Sequence, residues 1–104
     1  MIGIGTFQIK GSICVPVIEE AVKAGYLLVD TARCYKNERE IGSAIAGLSL
    51  TRTDIYITSK IAPSEQGEQK AYTAVCEALR LLGLDYLDCM LIHWPGKMIP
   101  IALK

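Results

Sequence analysis

Residues 26–35 read Tyr-Leu-Leu-Val-Asp-Thr-Ala-Arg-Cys-Tyr. The first four are apolar without alternation, and the run stops at Asp30. A strand with one wet face alternates apolar and polar side chains. An unbroken apolar run is the mark of a strand covered on both faces, as in a parallel sheet flanked by helices.

The pattern continues in both directions from this stretch. Upstream, Pro16 fits the first turn of a helix that runs to about Ala24, with Ile18, Ala21 and Val22 on one face and Gly25 as its stop. Before it, Ile2 to Phe7 is a short apolar run rich in glycine and reads as a first strand. Downstream, Asn37 to about Ala46 is a second helix with Ile41, Ala44 and Ile45 apolar, stopped by Gly47. Ile55 to Ser59 is a third strand-like run, with Lys60 after it. The polar stretch 62–67 is a loop. From there to about Leu82, the spacing of Ala71, Ala74, Val75, Ala78 and Leu82 predicts the clearest helix, stopped by Gly83. Leu87 to Ile92 reads as a last strand, broken by His93-Trp94-Pro95-Gly96, and the tail to Lys104 shows no clear element.

Strands alternating with helices over short connections predict an α/β fold, with a parallel sheet built from right-handed crossovers. Period and length do not separate an open doubly wound sheet from part of a (β/α)8 barrel. One feature favours the barrel: polar candidates follow three different strands, as where active sites gather at the C-terminal face. The dinucleotide fingerprint fails as well, because Gln8 stands where the third glycine after Gly3-Ile4-Gly5 belongs.

The 104 residues have room for one domain, residues 1–104, with no linker or boundary. Hydrophobic residues make up 51% of them, which is high for a chain this size and suggests that partner surface is missing. Lys+Arg and Asp+Glu balance at 11 each. With no basic stripe, nucleic acid is not an expected partner, and no charged tail marks a membrane surface. No signal peptide or membrane span is visible, so the expected address is the cytoplasm. Cys14, Cys34, Cys76 and Cys89 show no C-x-x-C spacing, and the one histidine leaves no zinc set, so no metal is expected. Three of the cysteines fall in apolar patterns and are expected as buried free thiols in a reducing compartment. Cys34, on a loop beside Tyr35, is the candidate oxidisable thiol.

Asp30, Tyr35, Lys60 and His93 fall at or just past strand ends. Each has a bland account alone: a strand-closing acid, a packed aromatic, a solvated ammonium, a structural imidazole. Together they suit carbonyl chemistry. A free phenol titrates near pH ~10 and gives up its proton reluctantly. A nearby cation stabilises the phenolate and eases proton donation, so Lys60 can tune Tyr35 as general acid. The buried ammonium needs a partner of its own, which Asp30 can supply. His93 can donate a hydrogen bond to the carbonyl oxygen. No side chain supplies hydride, so a nicotinamide cofactor is implied.

At this point the chain resembles the aldo-keto reductase family. The matching segments are Gly-Ile-Gly-Thr-Phe (3–7), Ala-Gly-Tyr (24–26), Asp-Thr-Ala-Arg-Cys-Tyr-Lys-Asn-Glu (30–38), Ile-Gly-Ser-Ala-Ile (41–45), Asp-Ile-Tyr-Ile-Thr-Ser-Lys (54–60) and the long run 82–96 ending Leu-Ile-His-Trp-Pro-Gly. The resemblance implies a (β/α)8 barrel and NADPH-dependent reduction of aldehydes and ketones. It implies Tyr35 as proton donor, tuned by Lys60 and Asp30, with His93 binding and orienting the carbonyl. It also places Gly5, Thr6 and Asp30 near the cofactor, and Phe7, His93 and Trp94 on the substrate pocket. Leu27 stands where family members usually carry arginine.

A full barrel takes about 250 residues. The expectation is therefore a partial, unclosed (β/α)8 barrel of about four parallel strands and three helices. Its first and fourth strands would be open edges that invite pairing. Two functional readings follow. The chain is the N-terminal portion of an NADPH-dependent reductase acting on a small-molecule carbonyl. Alternatively, it is a truncated, non-catalytic form that acts through self-association or by binding a complete reductase.

Overall fold

The structure, a computed structural model, describes residues 2–95. Four strands, β1 (Gly3–Gly5), β2 (Leu28–Asp30), β3 (Tyr56–Ile61) and β4 (Cys89–Ile92), form one parallel sheet in the order β1-β2-β3-β4. Helices α1 (Cys14–Lys23), α2 (Glu38–Ala46) and α3 (Glu68–Leu82) make the three crossovers. Among the described residues β1 and β4 are the edge strands of the sheet, as the half-ring reading expects. No helix among the described residues is long and apolar enough to cross a membrane.

Element bounds differ from the sequence reading in instructive ways. β1 is shorter than Ile2–Phe7 because Thr6 turns into the interior, fully buried, and Gln8 takes a left-handed φ of 65°. β2 starts at Leu28 rather than Tyr26, since Tyr26 N–H instead closes the end of α1 on Ala21 O at 2.9 Å. α1 starts before Pro16, because a 3₁₀ turn at Gly11–Ile13 runs straight into it. Pro16 still lies in the first turn, where a missing N–H leaves nothing unpaired. Lys60 lies inside β3, not after it. β4 begins at Cys89 rather than Leu87.

The register sorts the side chains onto two faces. Val29 pairs with Ile57 and Asp30 with Thr58. Alternation along β3 then puts Ile57 and Ser59 on one face, and Thr58 and Lys60 on the other. The first face packs on the helices. Cys14, Ile18, Val29, Ile41, Ala44, Ile55, Ile57 and Leu82 form the buried cluster there, each large member contributing about 1.5–3 kcal/mol of burial. The second face carries Asp30 and Lys60. Of the three cysteines expected inside, Cys14 is buried and Cys89 half-buried, but Cys76 is exposed. It sits on the outer side of α3, whose buried line is Ala74, Ala78 and Leu82.

Gly42 allows α2 to approach α3. A Cβ there would lie 2.5–2.7 Å from the Leu82 backbone, which cannot swing aside as a side chain can. Gly42→Ala is expected to destabilise the fold by about 3 kcal/mol. An unchanged urea midpoint would show that the helices have slack. At the other end of α3, Gly83 adopts the left-handed φ of 69° that closes the helix.

At the N-terminal ends of β3 and β4, the Asp88 carboxylate accepts from Ile57 N–H and from Arg52 Nη2, both at 2.8 Å. Burial works against ionisation here, but these donors outweigh it and hold Asp88 below the usual carboxylate range. A depressed folded-state pKa contributes stability above the ordinary carboxylate value, and that stability is lost as pH falls through the depressed one. Urea denaturation of the protein and of Asp88→Asn should therefore differ most near neutral pH. The difference should shrink from about pH 4 downward. A gap independent of pH would contradict this.

Candidate active site

The C-terminal ends of the strands bring the candidate residues to one side. Asp30 is the last residue of β2 and Lys60 the fifth of β3. Tyr35 closes a 3₁₀ turn at Arg33–Tyr35 after β2. His93 follows β4, and its backbone N–H extends the ladder to Ile61 O at 3.1 Å.

The Lys60 ammonium is the hub. Its Nζ donates to Asp30 Oδ1 at 2.7 Å, to Thr31 O at 3.0 Å and to Tyr35 Oη at 3.5 Å. An ammonium has three protons and no acceptor, so these partners use its full capacity. The side chain is only 14% exposed and the Asp30 side chain 38%. The pair is thus a partly buried, charge-assisted hydrogen bond, stronger than a surface ion pair. The phenol oxygen receives from the ammonium, which leaves the phenol's own O–H free to donate outward.

Aromatic rings complete the site. Tyr35 meets His93 edge-on at 5.7 Å and 81° between planes. Phe7 packs against Tyr35 at 5.3 Å, and Trp94 against His93 at 4.4 Å. Together with Cys34, these four line a cavity of about 370 Å³. The His93 Nδ1 is buried without a hydrogen-bond partner among the described residues.

Gly5 and Thr6 stand behind this wall. Thr6 donates its N–H and its hydroxyl to Asp30 O at 3.0 and 3.3 Å, respectively. A Cβ at Gly5 would meet nothing within 4 Å, so its backbone borders open space. Among the described residues, no three His, Cys, Asp or Glu side chains are grouped to hold a metal ion.

The sequence reading missed the framework behind the site. Asn37, read there as a helix opening, is 1% exposed. Its amide donates to Thr6 O at 2.8 Å and Ile9 O at 2.7 Å, and accepts from Thr31 Oγ1 at 3.3 Å. It therefore ties the loop after β1 to the loop after β2. Glu38 is nearly fully buried and bonds Arg33 Nη1. Its other oxygen accepts from Ser59 Oγ at 3.3 Å. Arg33 Nε reaches Glu65 Oε2 at 3.1 Å, and Glu65 also caps Ala62 N–H at 3.0 Å. Burial pushes the Glu38 carboxyl up, although Arg33 and Ser59 pull against that. Burial also opposes the Arg33 charge, but Glu38 and Glu65 overcome it and raise the guanidinium's pKa. The only sequence signal was the polar pair Asn37-Glu38 closing the segment 30–38.

A phenol, an ammonium, a carboxylate and an imidazole thus gather at the C-terminal ends of the strands of a parallel sheet, the end at which barrel enzymes carry their active sites. The chain matches the family model described as "Aldo/keto reductase family" over residues 1–103, and it belongs to that family. It is 43% identical over 96 residues to an aldo-keto reductase of Mycolicibacterium smegmatis, covering 92% of this chain and 34% of that protein. It is 41% identical over 96 residues to a glyoxal reductase of Bacillus subtilis, covering 91% and 35%, respectively. The solved aldo/keto reductase of Brucella melitensis superposes with a TM-score of 0.86 at 44% identity, over 90% of this chain and 37% of that one. The chain thus spans about a third of the length of the curated relatives it matches. Its open four-stranded sheet corresponds to part of the barrel of such enzymes.

Proposed function

We propose that this chain carries the proton-donor side of the active site of an NADPH-dependent reductase that converts small aldehydes and ketones to alcohols. The observation that carries the reading is the single ammonium, Lys60 Nζ, bonded to Asp30 and directed at Tyr35 Oη.

Four of this chain's residues then have distinct tasks. His93 and the phenol converge on the carbonyl oxygen from two sides of the cavity and orient it. Tyr35 Oη–H delivers its proton to that oxygen as negative charge develops there, and Lys60 stabilises the phenolate left behind. Asp30 neutralises and aims the ammonium. Phe7 and Trp94 exclude water and hold the apolar part of the substrate. The donor set fits a nicotinamide cofactor: Asp30 keeps an exposed side, and the Gly5 backbone borders open space, so both would face its nicotinamide end. When bound, that group supplies the hydride for the carbonyl carbon. The net change is carbonyl plus NADPH plus a proton giving alcohol plus NADP⁺. The names of the relatives, glyoxal reductase and a methylglyoxal reductase of Salmonella typhi, favour small α-oxo aldehydes as the first substrates to try. Cysteines that are all free suit a cytoplasmic setting.

The test is an assay of the full product of the gene with NADPH and a panel of aldehydes and ketones, with the product identified chemically. Aldehyde-dependent NADPH loss that yields the alcohol supports the reading, and no alcohol with any carbonyl refutes it.

A second reading has its own observation. Ile2 is 68% exposed beside edge strand β1, and Ile92, on edge strand β4, is 59% exposed. Open edges of this kind invite strand addition, so a non-catalytic form would pair with a second copy or with a complete reductase. Sedimentation separates the two readings: a dimer that consumes no NADPH favours the second.

A further inference from the structure

The catalytic face of the sheet depends on a turn with little to hold it. The 3₁₀ turn Arg33–Tyr35 has no side-chain cap. The backbone bond that closes it, Tyr35 N–H to Ala32 O, is long at 3.2 Å. Lys36, directly after it, is left-handed with φ 57°, a conformation few non-glycine residues adopt without support. Yet the separation this turn must maintain, Tyr35 Oη to Lys60 Nζ, is 3.5 Å, the outer limit of a hydrogen bond. A small outward shift of the turn would break it.

The support comes from the opposite side of the sheet. Arg33 lies two residues before Tyr35 and points away from the cavity, its side chain 14% exposed. The guanidinium fork holds Glu38 at the start of α2 and Glu65 in the turn after β3. The far oxygen of Glu38 is held by Ser59 Oγ, and Ser59 directly precedes Lys60 on β3. The ion-pair chain therefore runs from the tyrosine's turn to the lysine's strand, on the face that Lys60 does not occupy. A planar guanidinium can brace two carboxylates at fixed angles, whereas an ammonium cannot.

We propose that Arg33 is a positioning residue: clamped by Glu38 and Glu65 behind the sheet, it fixes the turn that carries Tyr35 so that the phenol oxygen stays within reach of Lys60. The inference rests on the reading of Tyr35 as proton donor. It assigns to Arg33 no contact with substrate or cofactor.

Arg33→Met is the direct variant. Displacing a catalytic group by about 1 Å costs up to about 100-fold, so kcat should fall by about 10- to 100-fold while KM for NADPH stays within about twofold. Because the defect lies in proton delivery, the solvent deuterium isotope effect on kcat should rise. In a Tyr35→Phe background, Arg33→Met should cost almost nothing further, since a group acting through Tyr35 has nothing left to position. Removing Arg33 also leaves two carboxylates facing each other and can prevent folding. Glu65→Gln, which loosens one arm of the fork at a less buried position, then gives the same pattern on a smaller scale. Either variant overturns the inference if kcat is unchanged. So does a kcat loss with an unchanged isotope effect that adds in full to Tyr35→Phe, because that describes a smaller folded fraction. Full turnover by Tyr35→Phe alone would refute the proposed function itself, a result distinct from additivity.

Discussion

Tyr35→Phe is expected to lower carbonyl reduction by about 10²- to 10⁴-fold, the range over which a positioned general acid contributes. The substitution removes one oxygen and leaves the ring, so the contacts with Phe7 and His93 at 5.3 and 5.7 Å can persist. Lys60 keeps Asp30 and Thr31 as partners and loses only its longest bond. The fold should therefore be intact, with a thermal midpoint within a few degrees of the parent, and KM for NADPH unchanged. A loss of kcat alone is the signature of an interaction made in the transition state. Residual activity above about a tenth of the parent would mean that another group delivers the proton.

Lys60→Met should cost about 10²- to 10³-fold in kcat and, unlike the tyrosine variant, some stability as well. Without the ammonium the phenolate formed during turnover has no cation beside it, and Asp30 is left with an uncompensated charge. That carboxylate is 38% exposed on its side chain, so water can take over part of the solvation. The cost to folding should then stay near about 1–2 kcal/mol rather than the 3–5 or so of a sealed pair. Lys60 and Tyr35 act as one unit, so the double variant should be little slower than either single one. Steady-state kinetics and urea denaturation on the four proteins of the cycle measure both quantities. Fully multiplicative rate losses would separate the two residues and dismantle the proposed mechanism.

Legibility in the sequence followed distance along the chain. Apolar runs such as 26–29 and 89–92 announce strands locally, although β4 carries Leu91 and Ile92 exposed rather than covered, and the polar residues that end the runs are visible as interruptions. Asp30, Lys60 and His93 could therefore be placed at or near strand ends, although Lys60 proved to lie within β3. Alternation gave the parallel sheet, while the unclosed half-ring followed from the family resemblance and the length of a full barrel. Tyr35 needed chemical reasoning, since nothing in periodicity distinguishes a packed tyrosine from a proton donor. Phe7 and Trp94 were expected on a substrate pocket only through the family resemblance. The structure shows them beside Tyr35 and His93 around one cavity, and their part in binding substrate belongs to the proposed function. What remained hidden depends on partners far apart in sequence. Asn37 bonds carbonyls 31 and 28 residues away, and Arg33 reaches a glutamate 32 residues on. A polar pair before a helix looks like an ordinary start signal, so its buried role could not be inferred. Cys76 misled for the opposite reason: Ala74, Val75 and Ala78 around it are apolar, but it faces the side of α3 away from the buried line of Ala74, Ala78 and Leu82.

A crystal structure of the full gene product with NADP⁺ and a slowly reacting aldehyde or a carbonyl inhibitor would test the central claim most directly. The account predicts the carbonyl oxygen within about 3 Å of both Tyr35 Oη and the His93 ring, with the rest of the molecule against Phe7 and Trp94. A carbonyl group seated elsewhere, with Tyr35 and Lys60 unchanged and uncontacted, would contradict it.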